Sequence, residues 1–256
     1  MLLVFDIGNT QIVTGLYQDQ ELIANWRIQT DRNKTADEYG ILLKSFLIDQ
    51  NLQATAVKAA IISSVVPPVT GTIEKMIQRY FGVETLLVGP EIRTDLNIKY
   101  ENPREVGADR IVNAVAGIKL YGAPLIIVDF GTATTFCAIA ENGDYLGGAI
   151  APGLGIASEA LFLRTAKLPR IELIKPKNAI GQNTVSSMQS GLYYGYIGLV
   201  EAMIKRFKSE MNANPRVIAT GGIADLIAGD TELFDAINPY LTLEGLRIIY
   251  ELNQTS

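Results

Sequence analysis

The chain of 256 residues contains no histidine, one cysteine and one tryptophan. The absence of histidine excludes a Ser-His-Asp or Cys-His catalytic arrangement and any imidazole metal ligand. A single cysteine, Cys137, excludes an intrachain disulfide and a cysteine-rich zinc or iron–sulfur site. Proton transfer must therefore use a carboxylate, a lysine, a tyrosine or the lone thiol. Such sparse use of cysteine is typical of a reducing compartment.

The chain also lacks a basic excess and a long apolar run. It has 22 lysines and arginines against 27 aspartates and glutamates, a formal net charge of −5, so we expect no nucleic-acid partner. Its longest uncharged stretch, residues 178–200, is rich in amide and hydroxyl side chains, so we expect no membrane span. The N-terminal sequence MLLVFDIGNT lacks the basic region of a signal peptide. Together these features favour a cytoplasmic protein.

Strand and helix patterns alternate along the sequence, which predicts an α/β fold. Apolar runs and period-two alternation predict strands over residues 2–5, 11–17, 22–28, 57–62, 84–88, 125–128, 134–140 and 216–219, with one more after the Asn142-Gly143 turn. Helical spacing predicts helices over residues 36–48, 73–81, 185–207 and 243–252, one opened by residues 106–110 and a short one after Gly222. We expect Pro67 and Pro68 to end the fourth strand, and residues 147–155 to form a glycine-rich segment.

Two stretches of the chain repeat one pattern. VFDIGNT (4–10) and IVDFGTA (127–133) are each an apolar strand that ends in Asp-x-Gly before a small polar residue. In each copy a turn follows 13 residues after the aspartate, at Asp19 and at Asn142. The repeat predicts a duplicated fold with two lobes around a cleft, joined near residues 103–121. We place the N-terminal lobe at residues 1–105 and the C-terminal lobe at residues 106–256.

The first copy, Asp6-Ile7-Gly8-Asn9-Thr10, has the features of a phosphate-binding loop. A strand delivers a carboxylate to its end, Gly8 permits a phosphate to approach the backbone, and successive N–H groups can hold it. A carboxylate beside a phosphate needs a cation between them, which points to Mg²⁺. The same residues also fit a plain hairpin with a glycine turn and a capping aspartate.

The second copy, Asp129 to Thr135, repeats the first, and the repeat favours a phosphate-binding role for both. Two such loops can hold a polyphosphate from opposite lobes. A third motif, Ala219-Thr220-Gly221-Gly222, follows a predicted strand and places small residues and amides where an adenosine can rest. An ordinary strand-to-helix turn explains that motif equally well. The sequence contains neither GxxxxGK[ST] nor GxGxxG, which disfavours P-loop and common dinucleotide-binding proteins.

The fourth motif, residues 106–110, opens an apolar helix with Asp109 in its first turn. The helix dipole stabilises a carboxylate there, so a helix cap beside an arginine is one interpretation. The other is a general base, with Arg110 holding an anionic substrate. In a chain without histidine, an aspartate is the natural base for deprotonating an alcohol. Cys137 lies in an alternating strand, so we expect a packed residue rather than a nucleophile.

Eight ordered motifs resemble those of type III pantothenate kinases, from residue 1 to about residue 250. They are DIGNT (6–10), ISSVVPP (62–68), NPREVGADRIVNA (102–114), VDFGTATTF (128–136), GGAIAPGL (147–154), LPRIEL (168–173), GQNTVSSMQSG (181–191) and ATGGIA (219–224). The resemblance implies the actin-like acetate and sugar kinase superfamily, with two duplicated ribonuclease H-like lobes around a nucleotide cleft. It implies ATP-dependent phosphorylation of the primary hydroxyl of pantothenate to 4'-phosphopantothenate, the first step of coenzyme A synthesis.

The resemblance also implies roles for individual residues. Asp6 would bind Mg²⁺, Asp109 would accept the proton, and Asp129 would bind a monovalent cation, K⁺ or NH₄⁺. The ATP contacts would come from Asp6, Ile7, Gly8, Asn9, Thr10, Gln11, Ile12, Val13, Thr132, Gly221 and Gly222. The pantothenate contacts would come from Tyr100, Gly107, Ala108, Asp109, Arg110 and Thr184, with Arg110 facing the substrate carboxylate.

A homodimer is a further implication of the resemblance. Thr184 would close the pantothenate pocket of a partner subunit. Gly191 and Gly195 lie four residues apart on the long predicted helix and would allow a second copy or another lobe to pack closely. Val13 and Gln182 stand where relatives often have a basic residue, which alters phosphate contacts slightly and leaves the catalytic set intact.

Three other functions fit parts of this pattern. Another small-molecule kinase of the superfamily, acting on a sugar or a carboxylic acid, would share the ATP motifs, and the VGADR and GQNTV segments speak against it by resemblance. A non-catalytic regulator fits poorly with the intact Asp6, Asp109, Asp129 and Thr132, although members of this family have been described as accessory factors for transcription. An actin-like structural protein would leave the family-specific motifs unexplained.

Overall fold

A computed structural model describes residues 1–254 of the chain, which form two compact units. The first unit consists of Met1–Leu96, Asn102–Ala116 and the chain from Leu241 onward, and the second consists of Asn97–Glu101 and Gly117–Tyr240. The described elements are β1 (Leu2–Ile7), β2 (Gln11–Gln18), β3 (Glu21–Gln29), α1 (Ala36–Asp49), β4 (Ala59–Ser64), α2 (Pro67–Phe81), β5 (Thr85–Leu87), α3 (Ala108–Tyr121), β6 (Leu125–Phe130), β7 (Ala133–Ile139), β8 (Tyr145–Pro152), α4 (Leu154–Arg164), α5 (Thr184–Met211), β9 (Arg216–Thr220), α6 (Ala224–Ala228), β10 (Ala236–Ile237) and α7 (Leu241–Leu252).

Each unit contains a five-stranded mixed sheet, and the two sheets have the same connectivity. In the first, β1 is antiparallel to β2 and parallel to β4. In the second, β6 is antiparallel to β7 and parallel to β9. The order β3-β2-β1-β4-β5 therefore repeats as β8-β7-β6-β9-β10. This confirms the duplication predicted from the two Asp-x-Gly motifs.

The sheet of the first unit is covered on both faces. Leu3, Phe5 and Ile7 of β1 pack against α1 and α2, while Leu2 and Val4 pack against α3 and α7. Burial on both faces explains why β1 reads as a continuous apolar run rather than an alternating one. The first polar side chain on this strand therefore appears at its carboxyl end.

The C-terminal helix belongs to the first unit because it packs on the start of α3. Gly245 lies so close to α3 that a Cβ there would be 2.3 Å from the Val112 carbonyl oxygen. Thr242 Oγ1 donates to Asn113 Oδ1 over 2.7 Å. The sequence division after residue 105 follows chain order, and these contacts instead join the two ends of the chain in one unit.

The second unit has its main core on one face of β6. Ile126, Val128 and Phe130 pack there against α5 and α6. The opposite face of β6 carries Ile127, whose side chain lies against Gly117 near the end of α3. Cys137 of β7 is buried, as expected of a packed residue.

Two predicted segments differ from the structure at prolines and glycines. Helix α2 begins at Pro67, not at residue 73, because proline at the first helical positions gives up an N–H that would have no helical partner. The segment predicted as glycine-rich, residues 147–155, is divided between β8 and the start of α4, a helix that the pattern did not predict. Gly153 marks the change, since it is the N-cap of α4.

The remaining helices agree closely with their predicted spans, and local caps set their ends. α1 begins after Thr35, whose Oγ1 accepts from the Glu38 N–H while Glu38 accepts from the Thr35 N–H. α5 begins after Asn183 in the same way and ends at Asn212, with a φ of +47°. Across residues 1–254, every helix is too short or too polar to cross a membrane.

Candidate active site

The Asp6 loop joins β1 to β2 in the first unit. The Gly8 N–H closes its turn by donating to the Gln11 carbonyl over 3.0 Å. Thr30, just after β3, holds the loop: its N–H donates to the Thr10 carbonyl over 3.0 Å and its Oγ1 donates to the Gly8 carbonyl over 2.7 Å. Asn9 and Thr10 are exposed. The loop is therefore fixed through its carbonyl groups, and its polar side chains are exposed.

Asp6 is one of three side chains that share a row across the sheet. It is in register with Val13 on β2 and with Ser63 on β4. All three point to the face that carries Val4, because alternate residues of a strand point the same way. Asp6 is partly buried, whereas Ser63 is fully buried. The Ser63 hydroxyl has no hydrogen-bond partner.

Two of the predicted ATP-binding residues lie inside the core. Ile7 and Ile12 are fully buried between the sheet and the helices α1 and α2. Only their backbone atoms can therefore reach a ligand. Gln11 is exposed and Val13 is partly buried beside Asp6.

Asp109 occupies the first turn of α3, as predicted. Its Oδ1 accepts a hydrogen bond from the Arg110 N–H over 2.8 Å. A Cβ at Gly107 would be 2.5 Å from that oxygen, so any other residue at 107 would displace the carboxylate. Burial raises the pKa of Asp109 above its ordinary value of 3.8, although the bond from Arg110 and its charge act in the opposite direction. A carboxylate with a raised pKa is a stronger base.

The structure brings the start of α3 and the Asp6 row to the same face of the first sheet. Ala108 packs on the core that includes Val4, and a Cβ at Gly107 would lie 3.8 Å from the Val65 side chain just after β4. Arg110 is buried, with 5% of its surface exposed. One unit therefore holds the Asp6 carboxylate, a second carboxylate with a raised pKa and a buried guanidinium.

Asp129 has the same place in the second unit that Asp6 has in the first. It is in register with Thr135 on β7 and with Thr220 on β9. Gly221 follows with a φ of +94°, and a Cβ there would be 2.6 Å from Asp129 Oδ1 and from the Phe130 backbone. Only glycine fits that conformation and that space. The third motif therefore lies directly beside the Asp129 carboxylate.

A buried tyrosine lies near Asp129. Burial raises the pKa of Tyr196, and the charge of Asp129 raises it further. The Tyr196 hydroxyl is hydrogen-bonded to Thr134 Oγ1 on β7. The Tyr196 phenol is therefore neutral at neutral pH, and the negative charge beside it belongs to Asp129.

The Thr132 loop lies against the N-terminus of α4. A Cβ at Gly153, the N-cap, would be 2.2 Å from the Thr132 carbonyl oxygen and 2.8 Å from that of Gly131. Thr132 itself is exposed. Backbone N–H groups at a helix start favour anions. Since the α4 helix was not predicted, this part of the loop's environment was missed from the sequence.

The predicted pantothenate residues are divided between the two units. Gly107 to Arg110 belong to the first, whereas Tyr100 and Thr184 belong to the second. The Tyr100 ring packs against the edge strand β8, since a Cβ at Gly147 would be 3.6 Å from it. Thr184 is the exposed first residue of α5. Gly222 is exposed after Gly221.

The oxygen donors of the two rows suit hard cations. Among residues 1–254, no three acidic, cysteine or histidine side chains group into a metal cage. Mg²⁺ often binds through one or two carboxylates, several waters and the phosphates of a nucleotide. A single carboxylate at Asp6, beside a loop with exposed polar groups and a buried hydroxyl without a partner, fits that mode. The row of Asp129 with Thr135 and Thr220 is likewise made of oxygen donors.

Two residues of these rows were missed as candidates from the sequence. In the sequence, Ser63 appears only as part of the ISSVVPP motif, and Thr220 only as part of a glycine turn. Their placement follows from register, because each lies beside an aspartate on the neighbouring parallel strand. Strand pairing is non-local, so no spacing within either segment could have shown it.

Solved structures with this fold include kinases and related proteins. A Campylobacter jejuni chain assigned to the Baf family of transcriptional activators is 18% identical, with a TM-score of 0.62 over 99% of this chain and 100% of that one. A glucokinase of the ROK family from Streptomyces griseus, in complex with glucose and AMPPNP, is 12% identical, with a TM-score of 0.52 over 99% and 100%. The activator of 2-hydroxyisocaproyl-CoA dehydratase from Clostridium difficile, with bound ADPNP, is 11% identical, with a TM-score of 0.53 over 100% and 97%.

At such identities these structures establish the fold alone, two duplicated ribonuclease H-like lobes of the actin-like ATPase type. The family comparison goes further. The model of the type III pantothenate kinase family matches residues 2–206, which include both Asp-x-Gly loops and the Asp109 segment. The chain therefore belongs to the type III pantothenate kinase family of phosphotransferases.

Proposed function

We propose that this chain transfers the γ-phosphoryl group of Mg-ATP to the primary hydroxyl of pantothenate, with Asp109 as the base and a monovalent cation at Asp129. The family match through residue 206 carries this proposal, because it spans every catalytic position invoked. The placement of Asp6 and Asp109 on one face of the first sheet supports it. The protein would act in the cytoplasm, without a nucleic-acid or membrane partner.

The Asp6 loop would hold ATP phosphates. The exposed Asn9 and Thr10 side chains and the backbone of residues 6–13 supply the donors. When bound, Mg²⁺ neutralises the phosphate charge that develops during transfer. Asp6 would hold that ion, and the Thr30 contacts keep the loop in place while it binds.

The second unit would contribute further ATP contacts. Thr132 is exposed beside the N-terminus of α4, where a phosphate oxygen can accept hydrogen bonds. Gly221 and Gly222 lack side chains that would keep an adenosine away from the backbone. Asp129 would hold K⁺ or NH₄⁺, whose charge offsets that of the carboxylate and the nucleotide.

The Asp109 carboxylate would accept the proton of the substrate alcohol. The hydroxyl oxygen of pantothenate forms a bond to the γ-phosphorus, the bond from that phosphorus to the bridging oxygen breaks, and ADP leaves with the bridging oxygen. The alcohol proton passes to Asp109. Arg110, buried beside it, would hold the substrate carboxylate, with Tyr100 and Thr184 as further contacts.

We also propose a homodimer in which α5 packs against the α5 face of a second copy and Thr184 reaches the partner's pantothenate. Apart from the chain neighbours and the backbone of α5 itself, no described atom lies within 4 Å of a Cβ built at Gly191 or Gly195, so this stripe of the helix is open. A glycine in the middle of a helix lowers the stability of the fold by about 1 kcal/mol relative to alanine. Two exposed glycines on α5 therefore indicate a use for the space above them.

The glycine stripe can be tested by crowding it. We expect the double variant Gly191→Leu/Gly195→Leu to be a monomer where the wild type is a dimer. We also expect its KM for pantothenate to rise roughly tenfold, which corresponds to about 1.4 kcal/mol of binding free energy. Light scattering after size-exclusion chromatography gives the mass. Gly71→Leu is the matched control, since Gly71 lies on α2 with equally open space. A monomeric wild type, or a double variant that stays dimeric, would contradict this interface.

The proposed reaction is tested by ADP release from Mg-ATP with pantothenate, in K⁺ buffer and in Na⁺ buffer. We expect pantothenate-dependent release that requires K⁺ or NH₄⁺. Equal ADP release in Na⁺ buffer would contradict the proposed monovalent-cation site at Asp129 and would still support the kinase reaction. Release with glucose or acetate but not with pantothenate would assign the chain to another substrate. Folded protein that binds ATP and turns over none of these would favour a regulatory role.

A further inference from the structure

Ser63 is a buried hydroxyl that the fold does not use. Its side chain is 0% exposed and its Oγ has no hydrogen-bond partner. Burying a hydroxyl without a partner is costly, and native proteins pair the large majority of such groups. An alanine there would avoid the cost, so the hydroxyl calls for a role other than holding the fold.

The next residue, Ser64, shows the contrast. Its Oγ accepts from the Val66 N–H over 3.0 Å and from Thr70 Oγ1 over 2.7 Å. These bonds tie the end of β4 to the start of α2. Ser64 therefore has a structural role, while Ser63 points to the opposite face, the one that carries Asp6.

The position of Ser63 identifies what it can serve. It is in register with Asp6 on the neighbouring parallel strand, and adjacent strands lie about 4.8 Å apart. A serine side chain can turn its Oγ among three staggered positions. A change of χ1 rotamer can therefore turn the hydroxyl toward the Asp6 carboxylate on the neighbouring strand.

The second unit repeats this arrangement independently. Thr220 on β9 is in register with Asp129, as Ser63 on β4 is with Asp6. Thr220 is 2% exposed. Each duplicated sheet thus keeps a buried hydroxyl residue beside its aspartate, on the equivalent parallel strand.

We propose that Ser63 is a positioning residue for Asp6: its Oγ–H donates to the Asp6 carboxylate when that carboxylate binds Mg²⁺. This rests on the proposed role of Asp6. Carboxylates that ligate metals are typically held by a second hydrogen-bonding group, and losing that group weakens metal binding about 10–100-fold. Ser63 would hold the Asp6 oxygens in the orientation that the nucleotide-bound ion requires.

The test compares Ser63→Ala with Ser64→Ala by calorimetric binding of a non-hydrolysable ATP analogue at a series of Mg²⁺ concentrations. For Ser63→Ala, we expect the half-saturating Mg²⁺ concentration to rise about 10–100-fold. Its melting temperature without ligand should be unchanged or raised. Ser64→Ala should melt lower and keep the wild-type Mg²⁺ dependence. Ser63→Thr, which restores a hydroxyl of the kind found at Thr220, should recover much of the Mg²⁺ dependence.

A wild-type Mg²⁺ dependence in Ser63→Ala would overturn the proposal, whatever the stability of the variant. If Ser63→Ala does not fold, Ser63→Cys keeps the side-chain size with a much weaker donor, and the same measurement decides. The binding assay needs no pantothenate. Wild-type protein that binds the analogue with Mg²⁺ but does not phosphorylate pantothenate would contradict the proposed reaction and leave this test intact.

Discussion

Replacement of Asp109 by asparagine is expected to lower turnover with pantothenate about 10²–10⁴-fold, the range typical of a general base. In the wild type the Arg110 N–H donates to Asp109 Oδ1 over 2.8 Å. Asparagine keeps the size of the side chain and an oxygen that can accept this hydrogen bond. It cannot take the alcohol proton. Phosphoryl transfer depends mainly on positioning and charge neutralisation, which places the expected loss within this range rather than above it.

The fold should survive this substitution. Because burial raises the pKa of Asp109, the native state binds the proton more tightly than the unfolded chain does. The group therefore favours folding at low pH, and that contribution is lost as pH rises through the raised pKa. At neutral pH the charged carboxylate disfavours the native state, so Asp109→Asn should melt no lower than wild type.

The same shift sets the acid limb of the activity profile. Asp109 must be ionised to act as a base, so kcat/KM should fall on acidification through a pKa above the ordinary 3.8. That limb should disappear from the residual activity of Asp109→Asn. Glu105→Gln is a suitable control, since Glu105 is exposed in the turn before α3, where its Oε1 accepts a hydrogen bond from the Asn102 side-chain amide. Unchanged turnover in Asp109→Asn would remove the residue from the mechanism.

Replacement of Asp6 by asparagine is expected to lower turnover roughly 100-fold or more. A bound metal contributes several kcal/mol to charge stabilisation in such reactions, and losing about 3 kcal/mol costs a factor of about 100. The loss should be partly relieved by raising Mg²⁺, because the variant keeps the loop and its Thr30 contacts. Steady-state kinetics across a range of Mg²⁺ concentrations measures this directly.

Asp19→Asn is the matched control for Asp6. Asp19 lies at the far end of β2, exposed, with a φ of +53° that asparagine tolerates well. It should retain wild-type turnover and Mg²⁺ dependence. An Asp6→Asn variant with the same Mg²⁺ dependence as wild type would show that this carboxylate does not hold the ion.

The fold was largely predictable from local pattern. The Asp6 and Asp129 motifs predicted the duplication, and the shared strand order of the two sheets confirms it. Apolar spacing predicted α1 and α5 to within a few residues. Helix α4 was missed because Pro152 and Gly153 are typical of a loop. In the structure Pro152 ends β8, and Gly153 precedes the first residue of α4. The start of α2 was predicted too late, at residue 73, because proline can begin a helix as well as follow the end of a strand.

The sequence could identify candidate-site residues where they are neighbours in the chain. Asp109 with Arg110, and Asp6 with its glycine turn, were identified from the sequence, and the structure gives them burial and contacts. Residues that come together only through strand pairing across the sheet could not be identified from the sequence. Ser63 beside Asp6 and Thr220 beside Asp129 follow from strand register, and the packing of Gly245 on α3 joins segments over a hundred residues apart.

The most direct test of the central claim is transfer of label from γ-³²P-ATP to pantothenate by the purified full chain with Mg²⁺ and K⁺, with the product identified by chromatography. We predict a labelled phosphomonoester at the primary hydroxyl of pantothenate, formed with one ADP for each phosphate transferred and absent without pantothenate. Folded protein that binds the nucleotide but leaves pantothenate unlabelled under these conditions would contradict the account.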